Sequence, residues 1–131
     1  MPVTFSQSNQ RFKNKRHDVT ANVIIVLFEE GDAHIAYSPA LDLSGYGYTD
    51  EEARASFEIA LSQFLDITTK KGTLFSELKR FGWNLKDRAL NIVKAPAFDD
   101  LLVTNLSLAK LLEEGKSIRT TVKPVRLFAD A

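Results

Sequence analysis

The segment Val19–Phe28 (VTANVIIVLF) constrains the fold more than any other part of the chain. Val19, Ala21, Val23, Ile25 and Leu27 alternate with Thr20, Asn22, Ile24, Val26 and Phe28, which is the two-residue period of a β-strand. The first half of the segment has one polar face. The IIVLF end is apolar on both faces, and such a strand has to be covered on both sides. Glu30-Gly31-Asp32 supplies a turn, because glycine tolerates positive φ. His34–Tyr37 then returns, so residues 19–38 read as a β-hairpin, and Pro39 stops the regular pairing.

Residues 40–48 (ALDLSGYGY) suit a third short strand. Leu43, Gly45 and Gly47 fall on one side of it, and Ser44, Tyr46 and Tyr48 on the other. Two glycines on one face leave room for something bulky, and the helix that follows is the natural occupant. That helix announces itself. Thr49-Asp50-Glu51-Glu52 is a capping box, with three carboxylates where the helix dipole is positive. Ala53, Phe57, Ala60, Leu61, Phe64 and Ile67 form its apolar stripe, and Lys70, Lys71 and Gly72 close it.

A shorter helix is predicted next, capped by Thr73, striped by Leu74, Leu78 and Phe81, and ended at Gly82, with Trp83 packing back onto the core. Residues 84–97 are ambiguous, with a strand possible over Ala89–Lys94. Asp99 is the expected cap of a helical segment over Asp100–Glu114, either one helix or two broken near Asn105. Residues 117–128 read as a final strand, and Pro124 places it at an edge or on a bulge. The fold class is therefore α+β: an antiparallel hairpin extended to a three-stranded sheet and packed by a long amphipathic helix, with a C-terminal helical segment and a final edge strand. Residues 1–18 are expected to form a loosely held basic arm, and residues 19–131 one domain whose C-terminal extension is 98–128. A length of 131 residues suits a single self-supporting core.

The absence of cysteine excludes disulfides, thiolate metal sites and cysteine nucleophiles. No run of about 18 apolar residues is available to span a membrane, and the N-terminus lacks the apolar core of a secretory signal, so a cytoplasmic location is expected. Net charge is zero but unevenly spread. Nine acidic residues against Arg54 lie between Glu29 and Asp66, and seven basic residues against two acidic ones between Lys70 and Lys94. Residues 11–16 and 116–126 add four basic residues each. Such asymmetry can mark solvated faces, a nucleic-acid face, or complementary faces that pair in an oligomer.

The stretch Ile35–Leu61 resembles the HicB-like antitoxin family. The matching pieces are Tyr37-Ser38-Pro39, Leu41 to Gly45, Gly47-Tyr48-Thr49 and Glu51-Glu52-Ala53, in that order. The resemblance covers roughly Thr20 to Trp83. It implies a partial RNase H-like fold and a module that binds and masks a small RNA-cleaving toxin. Many members of that family carry a separate C-terminal DNA-binding unit, whereas residues 98–128 here offer a helical segment and a strand.

Signals for chemistry are sparse. An RNase H-type nuclease needs several acids converging on metal ions about 4 Å apart. The candidates are Asp42, Glu58 and Asp66, and the last two sit about 12 Å apart along one helix. Gly45-x-Gly47 lacks the third glycine of a dinucleotide fingerprint, and the acids of 50–52 would repel a phosphate. His17 and His34 read as surface residues, and Ser38 lacks a nucleophile elbow. No catalytic, cofactor-binding or metal residue is assigned, so the chain is not expected to be an enzyme. Tyr37, Tyr46 and Tyr48 around the third strand can cover the core, anchor an interface or stack bases. Arg119, Lys123 and Arg126 line the last strand, where basic side chains either blunt an exposed edge or contact phosphates. These six residues are the candidate interface. The first reading is a HicB-like module that occludes a partner and self-associates as a dimer or higher oligomer. The alternative is a nucleic-acid-binding protein using residues 11–16 and 116–126, and a weak third is a metal-dependent nuclease.

Overall fold

In the computed structural model the described residues are 16–87, 92–115 and 117–130. The chain is α+β. Strands β1 (Arg16–Glu30), β2 (Ala33–Ser38) and β3 (Leu43–Gly47) lead into helix α1 (Asp50–Lys71) and helix α2 (Leu74–Arg80). A short hairpin of β4 (Asn84–Asp87) and β5 (Ile92–Lys94) follows, then helices α3 (Phe98–Thr104) and α4 (Leu106–Glu113), and finally β6 (Arg119–Asp130). The main sheet is antiparallel with order β3-β2-β1-β6, so the last strand lies at an edge, beside β1.

The alternation in β1 decides the layering. Val23, Ile25 and Leu27 face one side, where they meet Ala36, Ala53, Phe57 and Leu61 and, farther out, Leu74, Leu78 and Trp83. Val26 and Phe28 face the other, where they meet Ile35, Tyr37, Leu101, Leu108 and Leu111. The IIVLF stretch is thus covered on both sides, by α1 and α2 on one face and by α3 and α4 on the other. Where β1 is polar on its second face, at Thr20 and Asn22, that face is exposed. The hairpin turn falls at Gly31, with φ +62°. Trp83 packs back as expected, and its indole N–H donates to the Ala40 carbonyl at 2.8 Å.

The glycines of β3 set how closely α1 can approach. A Cβ on Gly45 would lie 2.2 Å from the Phe57 backbone nitrogen, and one on Gly47 2.3 Å from the Glu52 Cβ. The start of α1 therefore rests against the β3 backbone itself. Its capping box is formed: the Thr49 hydroxyl accepts from the Glu52 N–H at 3.1 Å, and the Glu52 carboxylate accepts from the Tyr48 N–H at 2.8 Å.

Several local expectations are corrected. Ile67 is turned outward (51% exposed), and Thr68 takes its place in the stripe, since spacings of four and three from Phe57 lead through Leu61 and Phe64 to residue 68. The buried Thr68 hydroxyl donates back to the Phe64 carbonyl at 2.7 Å. Thr73 does not cap α2 with its side chain. Its backbone N–H closes α1 instead, donating to the Thr68 carbonyl at 2.8 Å after the left-handed Gly72. Asp99 lies in the first turn of α3 rather than at its cap, which is Ala97. The helical segment breaks at Asn105, the second of the two arrangements the sequence allows. Residues 84–97 hold the antiparallel pair β4–β5; β5 takes the end of the possible strand Ala89–Lys94, whose residues 89–91 lie outside the described residues. The basic arm lies outside them over residues 1–15, while β1 takes up residues 16–18.

Gly45→Ala should cost about 1–3 kcal/mol or more, because the added methyl meets the rigid backbone of α1 at Ala53 and Phe57. Gly31→Ala meets nothing within 4 Å and pays only for its positive φ, about 1–2 kcal/mol. Urea midpoints of the two variants should rank in that order.

Candidate functional site

The three tyrosines near β3 have different environments. Tyr37 is buried on the α3–α4 side of the sheet. Its hydroxyl donates to Asp42 Oδ1 at 3.0 Å and accepts from Asn105 Nδ2 at 2.9 Å. Asn105 in turn caps α4, its side-chain oxygen accepting from the Leu108 N–H at 2.9 Å. Asp42 holds a left-handed conformation (φ +54°) in the β2–β3 turn. Tyr37 therefore ties the sheet to that turn and to the α3–α4 junction. Burial, above all, pushes its hydroxyl pKa up. The Asn105 hydrogen bond works against that rise, and Asp42 adds to it. The sequence signalled Asn105 only as a helix break and Asp42 only as an isolated acid. A cleft of about 480 Å³ opens beside this cluster, with Asp42, Arg80, Phe81 and Leu106 in its walls.

Tyr46 and Tyr48 are 60% and 80% exposed. Tyr46 shares the face of Ile35, its partner across the β2–β3 ladder. Between β3 and α4 runs a groove of about 340 Å³, with Ile35, Tyr37 and Tyr46 contributing apolar surface and Glu30, Lys110 and Glu114 contributing charge. Tyr46 in β3 and Tyr48 just beyond the strand both have their amides held by α1. The Tyr46 N–H donates to the Ser56 hydroxyl at 3.1 Å, and the Tyr48 N–H donates to Glu52 in the capping box.

The basic residues of β6 divide by parity. Arg119 and Lys123 point to the α1 side, where Arg119 pairs with Asp50 at 2.6 Å and Lys123 with Glu58. Arg126 opposes Thr20 on the other face. The three do not form one basic patch. His34 also reaches Asp50, at 2.9 Å, so a single carboxylate at the start of α1 links β2 and β6. The His34 contact, then the Arg119 contact, hold the Asp50 carboxyl below its ordinary pKa. The basic stretch 11–16 lies outside the described residues except for the backbone of Arg16.

The acids weighed for nuclease chemistry lie apart and have separate partners: Asp42 with Tyr37, Glu58 with Lys123, and Asp66 with Lys70 at 3.1 Å. Among the described residues no three His, Asp or Glu side chains are grouped to hold a metal ion, and no helix is long and apolar enough to cross a membrane. Gly45 and Gly47 serve packing, as their contact with α1 shows. Comparisons with protein-family models, with curated proteins and with solved structures each find no match to this chain.

Removing the Tyr37 hydroxyl takes from the Asn105 amide its shorter hydrogen bond and leaves it the 3.5 Å contact with the Pro39 carbonyl, so Tyr37→Phe should cost about 0.5–1.5 kcal/mol. A tyrosine whose folded pKa is raised stabilises fully below its ordinary value of about 10 and loses that contribution as pH rises through the folded value. The alkaline absorbance titration of the wild type, minus that of Tyr37→Phe, should show one component above that value. Asp50 has the opposite sign. Its contribution is present above the ordinary carboxylate value, about 3.9, and is lost as pH falls through the folded value. The stability gap between wild type and Asp50→Asn should hold at neutral pH and close in acid.

Proposed function

We propose that this chain is a non-catalytic binding module that covers a partner protein with the groove between β3 and α4. The observation that carries the reading is the exposure of Tyr46 in the wall of this groove and of Tyr48 just past the end of β3, on backbone whose amides are fixed by α1. Tyrosines at such positions concentrate binding energy, because they are large, stiff and able to donate a hydrogen bond from an apolar body. A strand pinned in advance also pays little ordering entropy when a partner docks. The charge favours a basic partner. Glu30 and Glu114 flank the groove against Lys110 alone, and Glu29 and Asp32 stand in the adjoining hairpin.

The resemblance of Ile35–Leu61 to HicB-like antitoxins suggests the same mode of action, the masking of a small toxin-like protein. A cytoplasmic setting agrees with a chain that has no cysteine. The nucleic-acid reading is disfavoured, since two of the three basic residues of β6 are engaged by acids of α1.

The test is an affinity capture from native-source lysate, split into nuclease-treated and untreated halves, with the wild type run beside Tyr46→Ala/Tyr48→Ala. Both side chains are exposed, so the variant should keep the wild-type melting temperature. A small basic protein should be retained by the wild type in both halves and lost with the variant, each hot-spot tyrosine being worth about 2 kcal/mol or more. Retention that disappears with nuclease would reject the protein-occlusion reading.

A further inference from the structure

Trp83 ties the end of α2 to the β2–β3 turn through its bond to the Ala40 carbonyl, so Arg80 and Asp42 stand on one braced frame. Both line the cleft of about 480 Å³. Each is held there by a neighbour other than its opposite. The Tyr37 hydroxyl donates to Asp42 Oδ1 at 3.0 Å, with Asp42 in its left-handed conformation. The Arg80 guanidinium pairs with Glu77 at 2.6 Å and lies 4.7 Å from the centroid of the Phe81 ring. Glu77, above all, and then the charge of Asp42 raise the Arg80 pKa, Glu77 by hydrogen bonding and Asp42 through its field alone. A carboxylate and a guanidinium thus share one cleft without forming an ion pair. The opposite wall is the α3–α4 junction, with Leu101 buried and Leu106 exposed.

We infer that this cleft binds a small zwitterion, a free α-amino acid with an apolar side chain, its ammonium at Asp42 and its carboxylate at Arg80. Charge selects the class. A ligand with only a carboxylate meets the repulsion of Asp42, and one with only an amine meets that of Arg80. A neutral apolar ligand would take water from both charges and return no partner to either. A molecule that carries both charges close together satisfies the two at once. The guanidinium has further N–H groups beyond the one given to Glu77, set in a fork that suits a carboxylate. Phe81, Leu101 and Leu106 supply apolar surface for the side chain. The volume falls within the range of small-molecule sites, about 300–1,000 Å³. Because Tyr37, Glu77 and Trp83 fix the charged groups in advance, little ordering is needed on binding. The β3–α4 groove shares Tyr37 and Ser107 with this cleft but neither Asp42 nor Arg80, so the inference does not depend on the partner-binding reading.

The test is an NMR titration of the full, isotope-labelled chain with L-leucine and with two analogues of similar shape: isocaproate, which lacks the ammonium, and isoamylamine, which lacks the carboxylate. Leucine should bind with a Kd of about 1 mM or below and shift the amides of Asp42, Phe81 and Leu106. Each analogue should bind about tenfold more weakly or worse, the loss expected when one charge-assisted hydrogen bond is given up. Asp42→Asn keeps an acceptor for Tyr37 and suits a left-handed backbone, and Arg80→Gln alters an exposed side chain. Both variants should therefore keep the wild-type melting temperature and weaken leucine binding about tenfold or more. Asp42→Asn should also bind isocaproate more tightly than the wild type does, a reversal that a merely structural role for Asp42 would not produce. No leucine binding at about ten times that Kd, analogues that bind as tightly as leucine, or leucine binding unchanged in either variant would each overturn the proposal.

Discussion

Strand β1 cannot be left half covered. Val23, Ile25 and Leu27 on one face and Val26 and Phe28 on the other are all nearly inaccessible, and each side chain of that size gains about 1.5–3 kcal/mol from leaving water. A single helix covers one face only. The chain therefore needs two helical layers, and it supplies them from two parts of the sequence: α1 and α2 before the β4–β5 hairpin, α3 and α4 after it. The two cores have different tolerances. On the α1 side the helix meets bare glycine backbone. On the α3–α4 side the layers are joined through the hydroxyl of Tyr37 and the amide of Asn105, a polar tie in which each buried group satisfies another.

The first helix also governs the polar surface. Its N-terminal turn holds Asp50, which gathers His34 from β2 and Arg119 from β6. In the same turn Glu52 takes the Tyr48 amide just past β3, and farther on Ser56 takes the Tyr46 amide of β3 and Glu58 pairs with Lys123 of β6. A helix laid across the sheet thereby makes contact with both of its edges. It takes a backbone amide of β3 by hydrogen bonding, and at β6 it draws two cations over the sheet.

Much of this was legible in the residues. The two-residue alternation, the capping box and the paired glycines are local signals, and each reports the environment it creates. The expectation that the IIVLF stretch is covered on both sides follows from composition alone. The misses are contextual. Ile67 carries the right chemistry for the stripe but the wrong angle around the helix, a matter of one residue. Thr73 is a good capping residue whose backbone was already committed to ending α1. The candidate interface divided for the same reason. Tyr37 has the same side chain as Tyr46 and Tyr48 and differs only in having Asp42 and Asn105 within reach, one of them far along the chain. The pairing of Arg119 and Lys123 with α1 depends on strand order, which no local pattern encodes.

The pairing of β1 with β6 bears on how the chain reaches this state. Residues that face each other across that ladder are separated by roughly 90 to 115 positions in sequence. Closing a loop of that length is entropically costly, and contacts of such long range slow folding. The hairpin and α1 can assemble early, yet the second apolar face of the central strand is bare until α3 and α4 arrive, and one side of that strand lacks β6 until the end. A nascent chain on the ribosome spends that interval with its stickiest segment already made and its cover not yet synthesised. The demand on chaperones should therefore fall between the emergence of α1 and the emergence of β6, a short window set by chain order rather than by the stability of the finished protein.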